Sequence, residues 1–291
     1  MSRVLIVGWF SFDEVVATVG DIAAAEVVAS WLTAADIEHT TAWAPHARRE
    51  PVLADVRPDD FSHLVWVCGP LLRAAIVDDL LDRFGHACRV AVGVSVVDPQ
   101  VAARFDLVLA RDGAGTGVSP DLAVSHPVAP TPVVATVFAP VQAEYLDRGR
   151  HLEVAQAVRG WVADRGLGWF DVATDALTDH GDQRSTDQVV ATLGRADVVV
   201  TSRLHGMVLG LAAGRPVIAL DPVVGGAKVT AQAGALGWPV VLAADEVSAV
   251  TLDAAFARAQ AWPAEHGRPG PSAAAHATLD TVRAEVLDAV R

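Results

Sequence analysis

The chain is poor in lysine, tyrosine, cysteine and methionine. Lys228 is the only lysine among 22 basic residues, so nearly all positive charge sits on arginine. Two cysteines, Cys68 and Cys88, are too few for a disulfide framework and form no zinc-ligand spacing. Two buried thiols in a reducing compartment are expected. No apolar run reaches the roughly 18 residues of a membrane span. The opening MSRVLIVGWF meets Asp13 and Glu14 without a small-residue cleavage site, so it is read as the buried first strand of a cytoplasmic protein. Basic runs are missing too. With 35 acidic residues and a net charge of −13, the balance excludes nucleic acid and an anionic membrane surface as partners.

Absent motifs remove several chemistries. Neither G-x-G-x-x-G nor G-x-x-x-x-G-K followed by Ser or Thr occurs, which argues against NAD and against a P-loop nucleotide. No G-x-S-x-G elbow is present, which argues against an α/β-hydrolase. His39, His46, His63, His86, His126, His151, His180, His266 and His276 show no H-x-x-x-H spacing. They are read as surface or loop residues, and neither a metal nor another cofactor is expected.

What remains is a 52% apolar chain dominated by Ala and Val, which suits α/β layers. Strand and helix alternate from Val4–Val7 through a helix over Asp21–Leu32, with Asp21 as its N-cap. Strands follow at Ile37–Ala42, Leu64–Val67, Arg89–Val94 and Phe105–Leu109, with a helix at Ala74–Phe84. The Gly-, Ser- and Pro-rich stretch Gly113–Pro132 reads as a linker or long loop. The alternation then restarts at Val133–Phe138. It continues through a helix at Leu152–Asp164, a strand at Gly168–Val172 and a helix at Ser185–Gly194. Trp262–Ser272 reads as a Pro/Gly-rich hinge. The last helix, Ala273–Val290, carries an apolar stripe of Leu279, Val282, Val286, Leu287 and Val290 that must pack on something. Two restarts imply two Rossmann-like, doubly wound α/β domains facing across a cleft: residues 1–130, residues 131–262, and a hinge with the C-terminal helix over 263–291.

The most informative stretch is Ala196–Lys228. A β-branched strand, Val198–Val200, runs into Thr201-Ser202-Arg203-Leu204-His205-Gly206 and an apolar helix. A Gly214-Arg215-Pro216 turn and a second strand, Val217–Leu220, follow. A further helix at Thr230–Leu236 and a strand at Pro239–Leu242 close the pattern. Polar residues between a strand's carboxyl end and a helix N-terminus sit where open α/β sheets bind ligands, and the helix end favours anions. Arg203 is suited to grip a carboxylate or phosphate with two hydrogen bonds. His205 is suited to move a proton, and Gly206 to let backbone approach a ligand. Lys228, after Gly225-Gly226, would supply a point charge at the same edge. Arg111-Asp112 fits a cleft contact and a structural ion pair equally well. Asp13 and Glu14 read as loop-capping residues, and Asp21 as a cap or a ligand contact.

The stretch Ala196–Gly237 resembles the C-terminal signature of the polysaccharide pyruvyl transferase family. The residues that carry the likeness are Ser202-Arg203-Leu204-His205-Gly206, Gly214-Arg215-Pro216, the strand Val217–Leu220 and Lys228. Arg111-Asp112 and Gly20-Asp21 resemble family positions in the first domain. The resemblance implies a GT-B-like pair of domains, with the acceptor side in the first and the donor side in the second. It implies transfer of a pyruvyl group from phosphoenolpyruvate to hydroxyls of a sugar-containing acceptor, forming a ketal. Arg203 and His205 would be catalytic, and Ser202, Gly206, Lys228, Arg111 and Asp21 would bind substrate. The fuller Gly-Asn-x-Gly-Asp loop of family members is absent after the first strand, where Trp9–Val19 intervenes. Two alternatives remain open: a GT-B glycosyltransferase using a nucleotide sugar, with Asp221 as its only obvious ribose-binding carboxylate, and a non-catalytic anion-binding homologue.

Overall fold

Two parallel β-sheets, each wrapped by helices, account for the chain. The computed structural model describes residues 3–13, 17–113, 115, 117–175 and 185–291. Glu14 and His180 lie outside the described residues. The chain divides into two compact units, Met1–Ala129 and Pro130–Arg291.

Unit 1 contains, in chain order, β1 (Arg3–Val7), α1 (Val19–Ala34), β2 (Glu38–Thr41), β3 (His63–Val67), β4 (Pro70–Leu71), α2 (Ala75–Arg83), β5 (Cys88–Val96), α3 (Pro99–Ala102) and β6 (Leu107–Gly113). The sheet order is β2-β1-β3-β5-β4, with β6 also paired to β5. Its ladders are parallel, with Leu5 opposite Leu64 and Val7 opposite Trp66. The period-2 alternation of a strand explains how both faces are covered. Leu5, Val7, Leu64 and Trp66 join the core beneath α2, with Leu80, Leu81 and Phe84. Val4, Ile6, Val65 and Val67 point to the other face and pack on Ala24, Ala25 and Val28 of α1.

Unit 2 contains β7 (Val133–Val137), α4 (His151–Asp164), β8 (Gly168–Asp171), α5 (Thr186–Leu193), β9 (Val198–Thr201), α6 (Leu204–Ala212), β10 (Val217–Asp221), α7 (Lys228–Leu236), β11 (Val241–Ala243), α8 (Ala249–His266) and α9 (Ala273–Ala289). The order β11-β10-β9-β7-β8 is again parallel. The central strands are apolar except for Thr136, Thr201 and Asp221, all three buried. Val198–Val200 and Val217–Leu220 are fully buried among Met207, Leu211 and Leu252. Such continuous apolar runs belong to strands covered on both faces.

Several elements differ from the sequence reading. α1 begins at Val19, and its N-cap is Thr18; Asp21 is the third helical residue, and its carboxylate accepts from the Thr18 N–H at 2.9 Å and its hydroxyl at 2.8 Å. Arg111 and Asp112 lie within β6, because that strand runs on to Gly113. The stretch after β6 is not all free chain. Leu122–Ser125 forms a 3-10 turn capped by Asp121, and Leu122 packs against the core under α1. Cys68 is buried, but Cys88 is exposed at the amino end of β5, where the sheet meets solvent. The hinge reading of Trp262–Ser272 is half overtaken by α8, which starts at the Ser248 cap and continues through Pro263 to His266. Proline there breaks only the last turn's bonding, and the Gly267 N–H closes the helix on the Pro263 carbonyl at 3.1 Å. The apolar stripe of α9 stays in solvent: Leu279, Val282, Val286 and Leu287 are 59, 49, 54 and 46% exposed. Only Ala275 of that helix is buried. No described helix is long and apolar enough to cross a membrane.

Candidate functional site

The loop after β9 is built by two hydroxyls. Thr201 Oγ1 donates to the Val137 carbonyl at 2.8 Å and accepts from the Arg203 N–H at 3.0 Å. Ser202 donates its N–H to the same carbonyl at 3.1 Å, and its Oγ accepts from the Ala139 N–H at 3.0 Å. Both side chains are buried, and together they tie the end of β9 to the end of β7. From β7 the sheet extends one way to β8 and the other way to β9. The corner therefore stands at a topological switch point, where neighbouring loops part and leave room for a ligand.

Gly206 makes this close packing possible. A Cβ there would lie 2.2 Å from Thr201 Oγ1 and 2.9 Å from Val137. Its missing side chain thus serves the packing of α6 on β7 and β9; the room it leaves is filled by protein. Ser202 is likewise engaged with backbone. Arg203 and His205 are the groups of this corner that turn to chemistry. Arg203 stands at the N-cap of α6 without a side-chain cap bond, and its side chain is 23% exposed. The fork is bonded to both oxygens of Asp175, through Nη1 at 2.6 Å and through Nη2. Those hydrogen bonds hold the Asp175 carboxyl below the usual carboxylate range. His205, in the first turn of α6, is exposed and has no hydrogen-bond partner among the described residues.

β10 lies beside β9 and brings a second set to the same edge. Lys228 opens α7 and is exposed, with no ion pair among the described residues. Asp221 is fully buried and spent on backbone. Its carboxylate accepts N–H groups from Val223 at 3.2 Å, Ala227 at 2.7 Å and Thr230 at 2.9 Å, which shapes the loop and the start of α7. A ribose hydroxyl would have to compete with those three bonds.

Two further residues stand at this edge: Tyr145, which no sequence motif marks, and His151, which the sequence places among surface and loop histidines and the structure buries at the start of α4. The segment before α4 is pinned to the loop after β10: the Arg150 N–H meets the Pro222 carbonyl at 2.7 Å, and the Val224 N–H meets the Arg148 carbonyl at 3.0 Å. This places Tyr145, the only tyrosine, with its ring centroid 5.8 Å from Lys228 Nζ. Tyr145 stacks at 6.3 Å on His151, the first residue of α4. His151 is 3% exposed, and its Nε2 has no partner among the described residues. Burial, and then the charge of Lys228, push its proton affinity down, against Glu144, Asp221 and Glu153. Nothing in one sequence distinguishes this histidine from the surface ones. Its signal is tertiary.

Arg111 and Asp21 belong to unit 1. Arg111 Nε donates to Asp112 at 2.9 Å, Nη1 pairs with Asp121, and Nη2 donates to Ser95 at 2.8 Å. Asp112 and Asp121 both strengthen the hold of Arg111 on its proton. Asp21 caps α1 with Thr18. No group of His, Cys, Asp and Glu among the described residues is placed to hold a metal.

Unit 2 is thus an open parallel α/β sheet with an arginine, a lysine and two histidines at its carboxyl edge. Residues 127–222, a third of the chain, match the model of the polysaccharide pyruvyl transferase family. The matched stretch contains Tyr145, His151 and the whole Arg203 corner, and stops short of Lys228. No curated protein matches the chain. Among solved structures it is similar to the E. coli heptosyltransferase WaaC with ADP (14% identity, 88% of this chain and 99% of the other, TM-score 0.28). It is similar also to the glycotransferase of kitacinnamycin (13%, 90% and 91%, TM-score 0.32). A third is E. coli ADP-heptose lps heptosyltransferase II (10%, 89% and 98%, TM-score 0.29). Likenesses at these TM-scores decide nothing; the α/β class rests on the two parallel sheets themselves.

Proposed function

We propose that unit 2 binds phosphoenolpyruvate and that the chain transfers its pyruvyl group to two hydroxyls of a sugar-containing acceptor. The observation that carries this reading is the arginine fork of Arg203 at the switch point, on the strand next to the one that delivers Lys228. The donor has a carboxylate and a phosphate, and a guanidinium with an ammonium is the matched pair of receivers. In the reaction the methylene carbon takes a proton, which makes the adjacent carbon electrophilic. One acceptor hydroxyl adds there and the second displaces phosphate; one of the two hydroxyl protons restores the acid that protonated the methylene carbon, and the other leaves on the phosphate. His205, exposed beside Arg203, is the proton carrier of this scheme. The Arg203 fork holds the donor's carboxylate, and Lys228 stabilises the departing phosphate. The nucleotide-sugar alternative is weakened by Asp221, whose oxygens are committed to backbone N–H groups.

Asp175 has a place in this scheme. Its carboxylate occupies the Arg203 fork in the free protein, as the carboxylate of the donor would. Binding then exchanges one carboxylate for another. Calorimetric titration with phosphoenolpyruvate tests the reading. Arg203→Gln is expected to weaken binding by about tenfold or more, the worth of a charged hydrogen bond of roughly 1.5–3 kcal/mol. Asp175→Asn is expected to tighten it. His205→Ala is expected to bind the donor but release no phosphate with a sugar acceptor. If the wild-type protein neither binds phosphoenolpyruvate nor is stabilised by it, the proposal fails.

A further inference from the structure

Unit 1 has a pocket of its own. Its volume is about 430 Å³, within the usual range for small-molecule sites of roughly 300–1,000 Å³. It lies beyond the carboxyl end of β1, the strand from which the sheet extends one way to β2 and the other to β3. Its walls come from three segments: the turn after β1, the connection after β2, and α2. That is again a switch-point position, where an open sheet receives a ligand.

The lining has two halves. Phe12, Leu53, Ile76 and Leu80 form an apolar wall. Asp13, Asp79 and Arg83 stand with it as the charged groups. Asp13 is bonded to His46 Nδ1 at 2.8 Å, while Asp79 has no ion pair among the described residues. Arg83 gives Nη2 to the Val56 carbonyl at 3.3 Å. Ser11, by contrast, is spent: its hydroxyl donates to the Ala42 carbonyl at 2.6 Å and accepts from the Gly8 N–H at 3.2 Å. Ala74, the N-cap of α2, offers no side-chain cap bond among the described residues, which leaves the N–H groups of Ala75 and Ile76 for a hydroxyl oxygen.

Two carboxylates against one guanidinium give the lining an excess of negative charge, which disfavours a phosphate or a nucleotide. Carboxylates bind hydroxyl groups well, since each oxygen accepts and a hydroxyl donates. The apolar wall takes a ring or short chain. We propose that this pocket binds a neutral glycoside with an apolar aglycone, the aglycone on Phe12 and Ile76 and sugar hydroxyls on Asp79 and the start of α2. Naming this glycoside as the acceptor rests on the function proposed above; the binding itself does not.

Ligand-observed NMR and calorimetry with a panel of p-nitrophenyl glycosides test the site. The wild-type protein is expected to bind members of the panel at least about fivefold more tightly than the free sugars, an apolar burial worth roughly 1 kcal/mol. Ala54→Trp, which fills the pocket from its exposed side, is expected to abolish that binding. Asp79→Asn is expected to weaken it about fivefold, within the range of a hydrogen bond. Melting temperature and phosphoenolpyruvate titration of both variants check that the fold and unit 2 are intact. The inference is overturned if no aryl glycoside binds, if Ala54→Trp binds as the wild type does, or if ADP displaces the glycoside. Loss of phosphoenolpyruvate binding in the wild type, with glycoside binding kept, would overturn the donor reading alone.

Discussion

His151 shows how one side chain joins fold and chemistry. A buried ring nitrogen without a partner is costly, and such groups are rare in folded proteins. Here the ring is held by stacking on Tyr145, near the one lysine of the chain. Burial and the Lys228 ammonium both favour the neutral ring and hold its pKa below the ordinary 6.5. The consequence for stability has a definite sign. In the unfolded chain His151 takes up a proton near pH 6.5, whereas in the folded chain it resists until lower pH. The unfolded state binds more protons in that window, so stability falls as the pH drops from about 6.5 through the lowered folded value. His151→Phe removes this component. Urea unfolding at pH 7.5, 6.5 and 5.5 should show a smaller loss of stability with falling pH in the variant. Equal losses in both proteins would mean that the imidazole titrates normally in the folded chain.

Among the elements, α6 sets the site by its closeness to the sheet. Gly206 lets it press on Thr201 and Val137, which seats the start of the helix, with Arg203 and His205, against the ends of β7 and β9. Gly206→Ala would put a methyl group 2.2 Å from Thr201 Oγ1, so helix or strand must shift. An overpacking cost of about 1–3 kcal/mol is expected in urea unfolding, together with weaker phosphoenolpyruvate binding. Unchanged stability would show that α6 has slack. The same helix marks what was legible in the sequence. Val198–Val200, the polar corner and the apolar run after it have unambiguous local patterns, and strand, loop and helix fall where those patterns put them. The role of Gly206 was not legible, because glycine permits both close packing and ligand approach, and only the neighbouring strand decides between them. Asp175 and His151 escaped for the same reason. Their partners, Arg203 and Lys228, are far along the chain, and no local period records such contacts. The Pro- and Gly-rich string after Trp262 masked the end of α8, since Pro263 reads locally as a breaker although it sits in the last turn.

On the scale of the whole molecule, each unit has its own sheet, its own core and its own polar sheet edge. The edges differ in sign. Unit 2 presents Arg203 and Lys228, while the pocket of unit 1 presents Asp13 and Asp79 against Arg83. The net charge of −13 repels anions from the chain as a whole, so an anion is held only where basic groups gather locally. Two ligands of different charge should therefore sort themselves between the units, and hydrogen exchange read by mass spectrometry can follow them. A ligand that binds only the folded state stabilises it by mass action, by roughly 2.7 kcal/mol at a hundred times its dissociation constant. Phosphoenolpyruvate at that level should slow exchange in peptides covering residues 137–151, 201–206 and 221–230. A p-nitrophenyl glycoside should slow it instead around residues 8–13, 52–54 and 75–83. Protection by phosphoenolpyruvate confined to unit 1 would place the anion against carboxylates, and would sink the assignment of the donor to Arg203 and Lys228.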